Sequence, residues 1–299
     1  MKIHLSMGLL LIPLLFLSCS EETNKDKKDE VIMTKQSSEK QIEIKTMIEV
    51  AYYGKPELIQ RYLDHNQTIN QLDTRSNSTP LYFAIQANQI ATIQPFIEHG
   101  ANIEHQNILG QTPLHAAVAQ GKGQIVDILL KNNANIEAED NNGLTPLIYA
   151  IENAKDSIVQ KLVEKGAKLN TSNKFKVTPL HLAIQHKNIK ILDFLLTQKL
   201  DLNYQTVDGY SPLHYAVIAN SFKAVERLVK KGVNLDLKDK DGSTALNIAA
   251  MKNYIKIVKF LVLSGADKAI ADNKGISPVS FAQKSWSQGL KKVLLDEKK

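Results

Sequence analysis

Gly110-Gln111-Thr112-Pro113-Leu114-His115-Ala116-Ala117-Val118-Ala119-Gln120-Gly121 is the stretch that decides the fold. Thr112 ahead of Pro113 predicts a helix start. Its hydroxyl can accept from a free amide of the first turn, and the fixed φ and missing N–H of proline suit the first helical position. Leu114 and Ala117 lie three apart and share one face of a short inner helix that Gly121 closes. In Ile125-Val126-Asp127-Ile128-Leu129-Leu130, the residues Val126, Leu129 and Leu130 keep the i, i+3, i+4 spacing of a second, outer helix. Asn133-Ala134-Asn135-Ile136 then leads out of the block.

The block recurs every 33 residues in both directions: Thr79, Thr112, Thr145, Thr178, Ser211, Thr244 and Ser277 are equally spaced. Proline follows at 80, 113, 146, 179, 212 and 278, with Ala245 the exception. Five residues beyond each threonine or serine of that column stands alanine, from Ala84 to Ala282, and Ala51 extends the period back to Thr46. A block of this kind at this period resembles the ankyrin repeat. The resemblance covers roughly residues 43 to 299. It implies an all-α solenoid of about eight helix-turn-helix units, starting near 43, 76, 109, 142, 175, 208, 241 and 274 and joined by β-hairpin-like loops.

Departures from the pattern carry their own expectations. Thr46-Met47-Ile48 replaces Thr-Pro-Leu in the first unit, and Gly54 stands one place early, as an atypical end cap would allow. Pro95 falls inside the second outer helix and predicts a kink or a late start. Gly166, Gly232 and Gly265, with Asn133 and Lys199 as variants, mark left-handed helix ends. Gly110, Gly143, Gly209, Gly242 and Gly275 mark the loops, and Lys176 breaks that column, so its loop is reshaped or strained. Trp286 replaces the helix-separating glycine of the last unit and is expected to cover the end of the core.

The amino terminus differs. Lys2, an apolar run from Leu5 to Leu17 and small residues at Ser18, Cys19 and Ser20 have the layout of a secretory signal peptide over residues 1–18. The run is too short for an ordinary membrane-spanning helix. Cys19 is the only cysteine, which excludes an intrachain disulfide, and its place resembles a bacterial lipoprotein signal. That resemblance implies acylation of Cys19, membrane attachment and an address in the cell envelope. Plain secretion, with action on a host or rival cell, is the alternative. Residues 19–42 are polar and aperiodic around Lys25-Asp26-Lys27-Lys28-Asp29-Glu30, the composition of a disordered tether.

Function is expected to be non-enzymatic. No phosphate-binding glycine loop, His-Glu-x-x-His pattern or nucleophile elbow occurs, so no catalytic centre, metal, cofactor or small-molecule substrate is expected. His115, His181 and His214 share one column, for which the ankyrin resemblance implies hydrogen bonds to neighbouring loops. The formal charge is +6, yet only Arg61, Arg75 and Arg227 supply guanidinium groups, which argues against nucleic acid. The resemblance points to a protein partner held along the loop tips and the inner-helix ends. Those columns contain Ile108, Leu109, Gln111, Leu144, Phe175, Val177, Val207, Tyr210, Ile218 and Met251. The apolar members either form a binding ridge or pack on neighbouring loops; Phe175 and Tyr210 are the expected anchors.

Overall fold

The computed structural model describes residues 44–170 and 172–295. The signal segment, Cys19, the tether through residue 42 and the closing Asp296 to Lys299 lie outside the described residues. Those described form inner–outer helix pairs in strict alternation. The inner helices are α1 (Met47–Tyr52), α3 (Pro80–Gln86), α5 (Pro113–Ala119), α7 (Pro146–Glu152), α9 (Pro179–Gln185), α11 (Pro212–Ile218), α13 (Ala245–Met251) and α15 (Pro278–Lys284). The outer helices are α2 (Ile59–Asp64), α4 (Ile90–Glu98), α6 (Gly123–Lys131), α8 (Asp156–Glu164), α10 (Ile189–Leu195), α12 (Phe222–Lys230), α14 (Ile255–Leu263) and α16 (Gln288–Leu295). Each inner helix packs on its own outer helix and on the next inner helix, so one hydrophobic core runs from Met47 to Leu294. No β-strand occurs among the described residues, and the connecting loops are tight turns.

The alanine column explains the close inner-helix stacking. Ala51, Ala84, Ala117, Ala150, Ala183, Ala216, Ala249 and Ala282 are all fully buried, where a larger side chain would force neighbouring units apart. Leucine, isoleucine and valine of the outer helices, such as Leu129, Leu162 and Leu228, close the core from the other side.

Pro95 sits within α4, which neither starts late nor breaks. The helix begins at Ile90, on the same register as α6 at Gly123 and α8 at Asp156. Proline there removes only the bond to the carbonyl of Ala91, and Ala91 is exposed to water, which can satisfy that oxygen.

Three further positions differ from expectation or qualify it. Lys176 does take the left-handed conformation of its glycine column, at φ 58°, so that loop keeps its shape and bears the strain. Lys199 does not: α10 ends at Leu195, two residues short of its neighbours' length, and the chain turns through Thr197 and Gln198 instead. That shortening leaves a depression of about 500 Å³ between Val163, Ala167, Gln198 and Leu200. Trp286 covers nothing. It is 97 % exposed, because Ser285 ends α15 in an extended conformation and carries the next residue outward.

The histidine column ties the third, fifth and sixth units each to the next. His115 Nδ1 accepts from the Thr112 amide at 3.2 Å, and its Nε2–H donates to the Leu144 carbonyl at 2.9 Å. His181 bonds Thr178 and the Tyr210 carbonyl in the same way, and His214 bonds Ser211 and the Ser243 carbonyl. Since a carbonyl only accepts, Nε2 must carry the proton and all three rings are neutral. Burial holds His181 and His214 down to about 4 and lowers His115 as well. Asn247 reproduces both bonds with an amide, to the Thr244 N–H at 3.0 Å and to the Ile276 carbonyl at 3.1 Å.

Where the column lacks such a group, the cost is visible. Thr79 and Thr145, beside Tyr82 and Ile148, carry buried hydroxyl oxygens without a hydrogen-bond partner. Ile148→His is expected to supply both the missing bond to Thr145 and one to the Val177 carbonyl. We expect a gain of about 1 kcal/mol in chemical denaturation. A loss would contradict the role given to the column.

Candidate functional site: the loop tips and inner-helix ends

The tips are shaped by a column of short polar side chains. Asn107 Oδ1 accepts from the amides of Leu109 and Gln111 at 2.9 and 3.0 Å. Asp140 Oδ1 holds Asn142 and Leu144, Asn173 holds Phe175 and Val177, and Asp272 holds Lys274 and Ile276. Asp239 holds Ser243, and the Thr206 hydroxyl holds Tyr210. Each cap folds the turn so that the residues one and two places on point outward; the residue four places on is buried at Gln111, Val177 and Ser243, half-buried at Leu144 and Tyr210 and exposed at Ile276.

Successive tips are also bonded to one another. The Ile108 amide donates to the Ser76 carbonyl at 3.0 Å, Asn141 to Leu109 at 3.1 Å, Val207 to Phe175 at 3.0 Å and Lys240 to Asp208 at 3.0 Å. The tips thus form two bonded runs, from Ser76 to Asn141 and from Phe175 to Asn273, and side chains standing on them are presented at low entropic cost to a ligand.

The sequence-predicted contact residues divide accordingly. Ile108, Leu109, Phe175, Val207 and Met251 are exposed, Phe175 by 52 %. Leu144, Tyr210 and Ile218 are half-buried, and Leu144 packs on the core. Gln111 and Val177 are buried and do not meet solvent, which removes both from the contact surface. Val177 lies four places after its cap and is folded under the turn. Gln111 is buried for a polar reason: its Oε1 accepts from the Tyr82 hydroxyl at 3.1 Å and its Nε2 donates to the Tyr149 hydroxyl at 2.8 Å. Tyr149 in turn donates to Asp140 Oδ2 at 2.8 Å. Burial, and after it the Asp140 carboxylate, pushes the Tyr149 phenol well above its ordinary value, so it remains a donor.

The apolar ridge is not continuous. Ile108 and Leu109 stand apart from Phe175 and Val207 because the intervening tip exposes Asn141 and Asn142. Tyr210 lies with its ring edge-on to Tyr215, centroids 6.3 Å apart, and burial followed by Asp239, Asp241 and Asp208 raises its phenol. The Lys174 ammonium lies 5.3 Å from the Phe175 ring centroid. This end of the tip row therefore combines an aromatic pair with carboxylates and ammonium groups. The surface also holds residues that sequence reasoning missed. Tyr52 and Tyr53 end the first inner helix exposed, with rings edge-to-face at 5.3 Å. For Tyr53 the signal was available, since it occupies the inner-helix-end position that Met251 occupies in the seventh unit; Tyr52 falls in the column of buried Ala250.

No cluster of three His, Cys, Asp or Glu side chains able to hold a metal comes together among the described residues. No helix among them is long and apolar enough to cross a membrane.

Comparison with known proteins agrees with this architecture. The model of the family described as ankyrin repeats (3 copies) matches residues 47–140, 124–206 and 180–272. Among solved structures, the ankyrin repeat domain of Bcl-3, titled a unique member of the IkappaB protein family, is 27 % identical with a TM-score of 0.68. The match covers 74 % of this chain and 100 % of that one. An ankyrin repeat domain from Acinetobacter baumannii AYE is 30 % identical with a TM-score of 0.58, covering 61 % of this chain and 96 % of that one. The human ASB11 ankyrin repeat domain, 20 % identical over 75 % of this chain and 99 % of its own, has a TM-score of 0.63 and shows the shared fold alone. No curated protein matches in sequence. Ankyrin repeats are generic protein–protein interaction modules. The stacked helix pairs, the capped tips and the family match over more than half of its length place this chain in the ankyrin-repeat family.

Proposed function

We propose that the chain is a lipid-anchored envelope protein that holds a protein partner along its loop tips and inner-helix ends. The observation that carries the binding half is the exposure of Ile108, Leu109, Phe175 and Val207 on tips fixed by backbone bonds. Large apolar side chains held rigidly in water are the usual anchors of an interface. Phe175 and Tyr210 are the proposed centre of that contact, on the adjacent fifth and sixth tips.

Replacing both by alanine is expected to weaken partner binding roughly tenfold or more. Both positions lie outside the main core, so helix content should be kept. Unchanged affinity would refute the assignment. The anchoring half rests on the apolar run Leu5 to Leu17 ahead of Cys19. A multiply acylated amino terminus would bind a bilayer stably, at about 0.8 kcal/mol per buried methylene. Metabolic labelling with a fatty acid, lost in a Cys19→Ala variant, tests it. An unlabelled parent protein in the culture medium would favour secretion instead.

A further inference from the structure

Opposite the tips, the turns between inner and outer helices form an edge of their own. Neighbouring turns touch along it: Asn188 Nδ2 donates to Asp156 Oδ1 at 2.8 Å, and the Lys256 ammonium lies 3.9 Å from the Phe222 ring centroid. A side chain added at Gly289 would meet Ile255 at 3.4 Å. From the fifth unit onward this edge has no carboxylate: residues 185–191, 218–224, 251–257 and 284–290 contain neither Asp nor Glu. They contain Lys187, Lys190, Lys223, Lys252, Lys256 and Lys284, all exposed and none in a salt bridge among the described residues. The nearby Glu226 is already held by Lys230 at 2.9 Å and Arg227 at 3.5 Å, although Lys256 also lies within its field.

Lys190, Lys223 and Lys256 repeat at 33 residues, and each lies in the first turn of its outer helix. The helix dipole disfavours a cation there; the Phe222 ring offsets that for Lys256, and local stability does not account for Lys190 and Lys223. Trp286 ends the row, in the column of Lys187, and is 97 % exposed. A tryptophan standing in water on one edge with lysines that form no salt bridge has the chemistry of the bilayer interface, where the indole sits at headgroup level and ammonium groups meet lipid phosphates. None of the chain's arginines lies in these turns, which sets the edge apart from a nucleic-acid reader.

We propose that this edge docks the array on an anionic bilayer, with Trp286 entering the headgroup layer. The tips, at the other end of the inner helices, stay free for a partner. The inference does not rest on acylation of Cys19; Ile218 and Met251, which end inner helices within these turns, fall on the bilayer edge under it, which leaves the loop tips as the partner surface.

Trp286 is the only tryptophan of the chain, so its emission reports the contact directly. The test uses the full chain carrying Cys19→Ser, which removes any acyl contribution. Vesicles of phosphatidylcholine are compared with vesicles of phosphatidylcholine and phosphatidylglycerol. Binding to the anionic vesicles is expected, weakened by salt and accompanied by a shift of Trp286 emission to shorter wavelength. Lys190→Gln, Lys223→Gln and Lys256→Gln together are expected to reduce vesicle affinity roughly tenfold or more, with unchanged circular dichroism. Trp286→Ala provides a second variant and is expected to weaken binding without altering its salt dependence. The proposal is overturned if Trp286 emission does not respond, or if the triple variant binds as tightly as its parent. Binding of a single-stranded oligonucleotide without any binding to the anionic vesicles would equally overturn it.

Discussion

Acidification from about pH 7 to about pH 4 is expected to destabilise the array by about 6 kcal/mol through two side chains, roughly 3 kcal/mol each, His181 and His214. In the unfolded chain both imidazoles bind a proton near the ordinary histidine value of 6.5; in the folded array burial holds them at about 4. Their contribution is therefore fully present above pH 6.5 and is lost as pH falls from there toward 4, where the folded state begins to accept the protons. Burial is the main cause, and the geometry agrees with it, since a second proton on either ring would have to sit on an Nδ1 that already accepts from the Thr178 or Ser211 amide.

Denaturation midpoints measured across this window check the expectation, and Asn247 supplies the control. It makes the same two bonds without a titrating group, so a His181→Asn, His214→Asn variant should lose most of this dependence. Hydrogen exchange should show the acid-induced opening first in units five to seven. A pH dependence as steep in the double variant as in the parent would show that carboxylates, not these rings, carry it.

Gln111→Leu is expected to cost about 2 to 3 kcal/mol of stability while leaving partner affinity unchanged. The amide is buried to 7 % exposure and joins three units, taking the Tyr82 hydroxyl on one side and giving to the Tyr149 hydroxyl on the other. Leucine fits the space but leaves the Tyr82 O–H without its acceptor, in a place water does not reach. Chemical denaturation and a binding titration on one preparation separate the alternatives. Unaltered stability with lost affinity would return Gln111 to the contact surface.

Gln111 also shows where sequence reading stops. The fold was legible because the period, the Thr-Pro helix starts and the alanine column are constraints that each unit must satisfy alone. Which tip residues face water was not, since Gln111, Leu144, Val177 and Tyr210 share a column with Ser243 and do not share a chemistry. Part of the signal is the polar column at 107, 140, 173, 206, 239 and 272, which shapes every tip yet leaves Ile276 exposed in the place where Gln111 and Val177 are buried. Its side chains send Ile108, Leu109, Phe175 and Val207 outward and draw Gln111 and Val177 under the turn. Trp286 was misread for a related reason: large and apolar suggested core, yet the backbone at Ser285 directs it away. Pro95 likewise cost less than its residue type suggests, because the one carbonyl it strands lies beside exposed Ala91.

Site-specific photocrosslinking tests the central claim most directly. A photoreactive side chain is placed singly at Phe175 or Val207 on the tips, at Tyr53 on an inner-helix end, and at Lys259 on the outer helix α14. The tip-and-inner-helix account predicts that the first three positions crosslink one and the same protein and that Lys259 does not. Crosslinks confined to Lys259, or equal at all four positions, would contradict it.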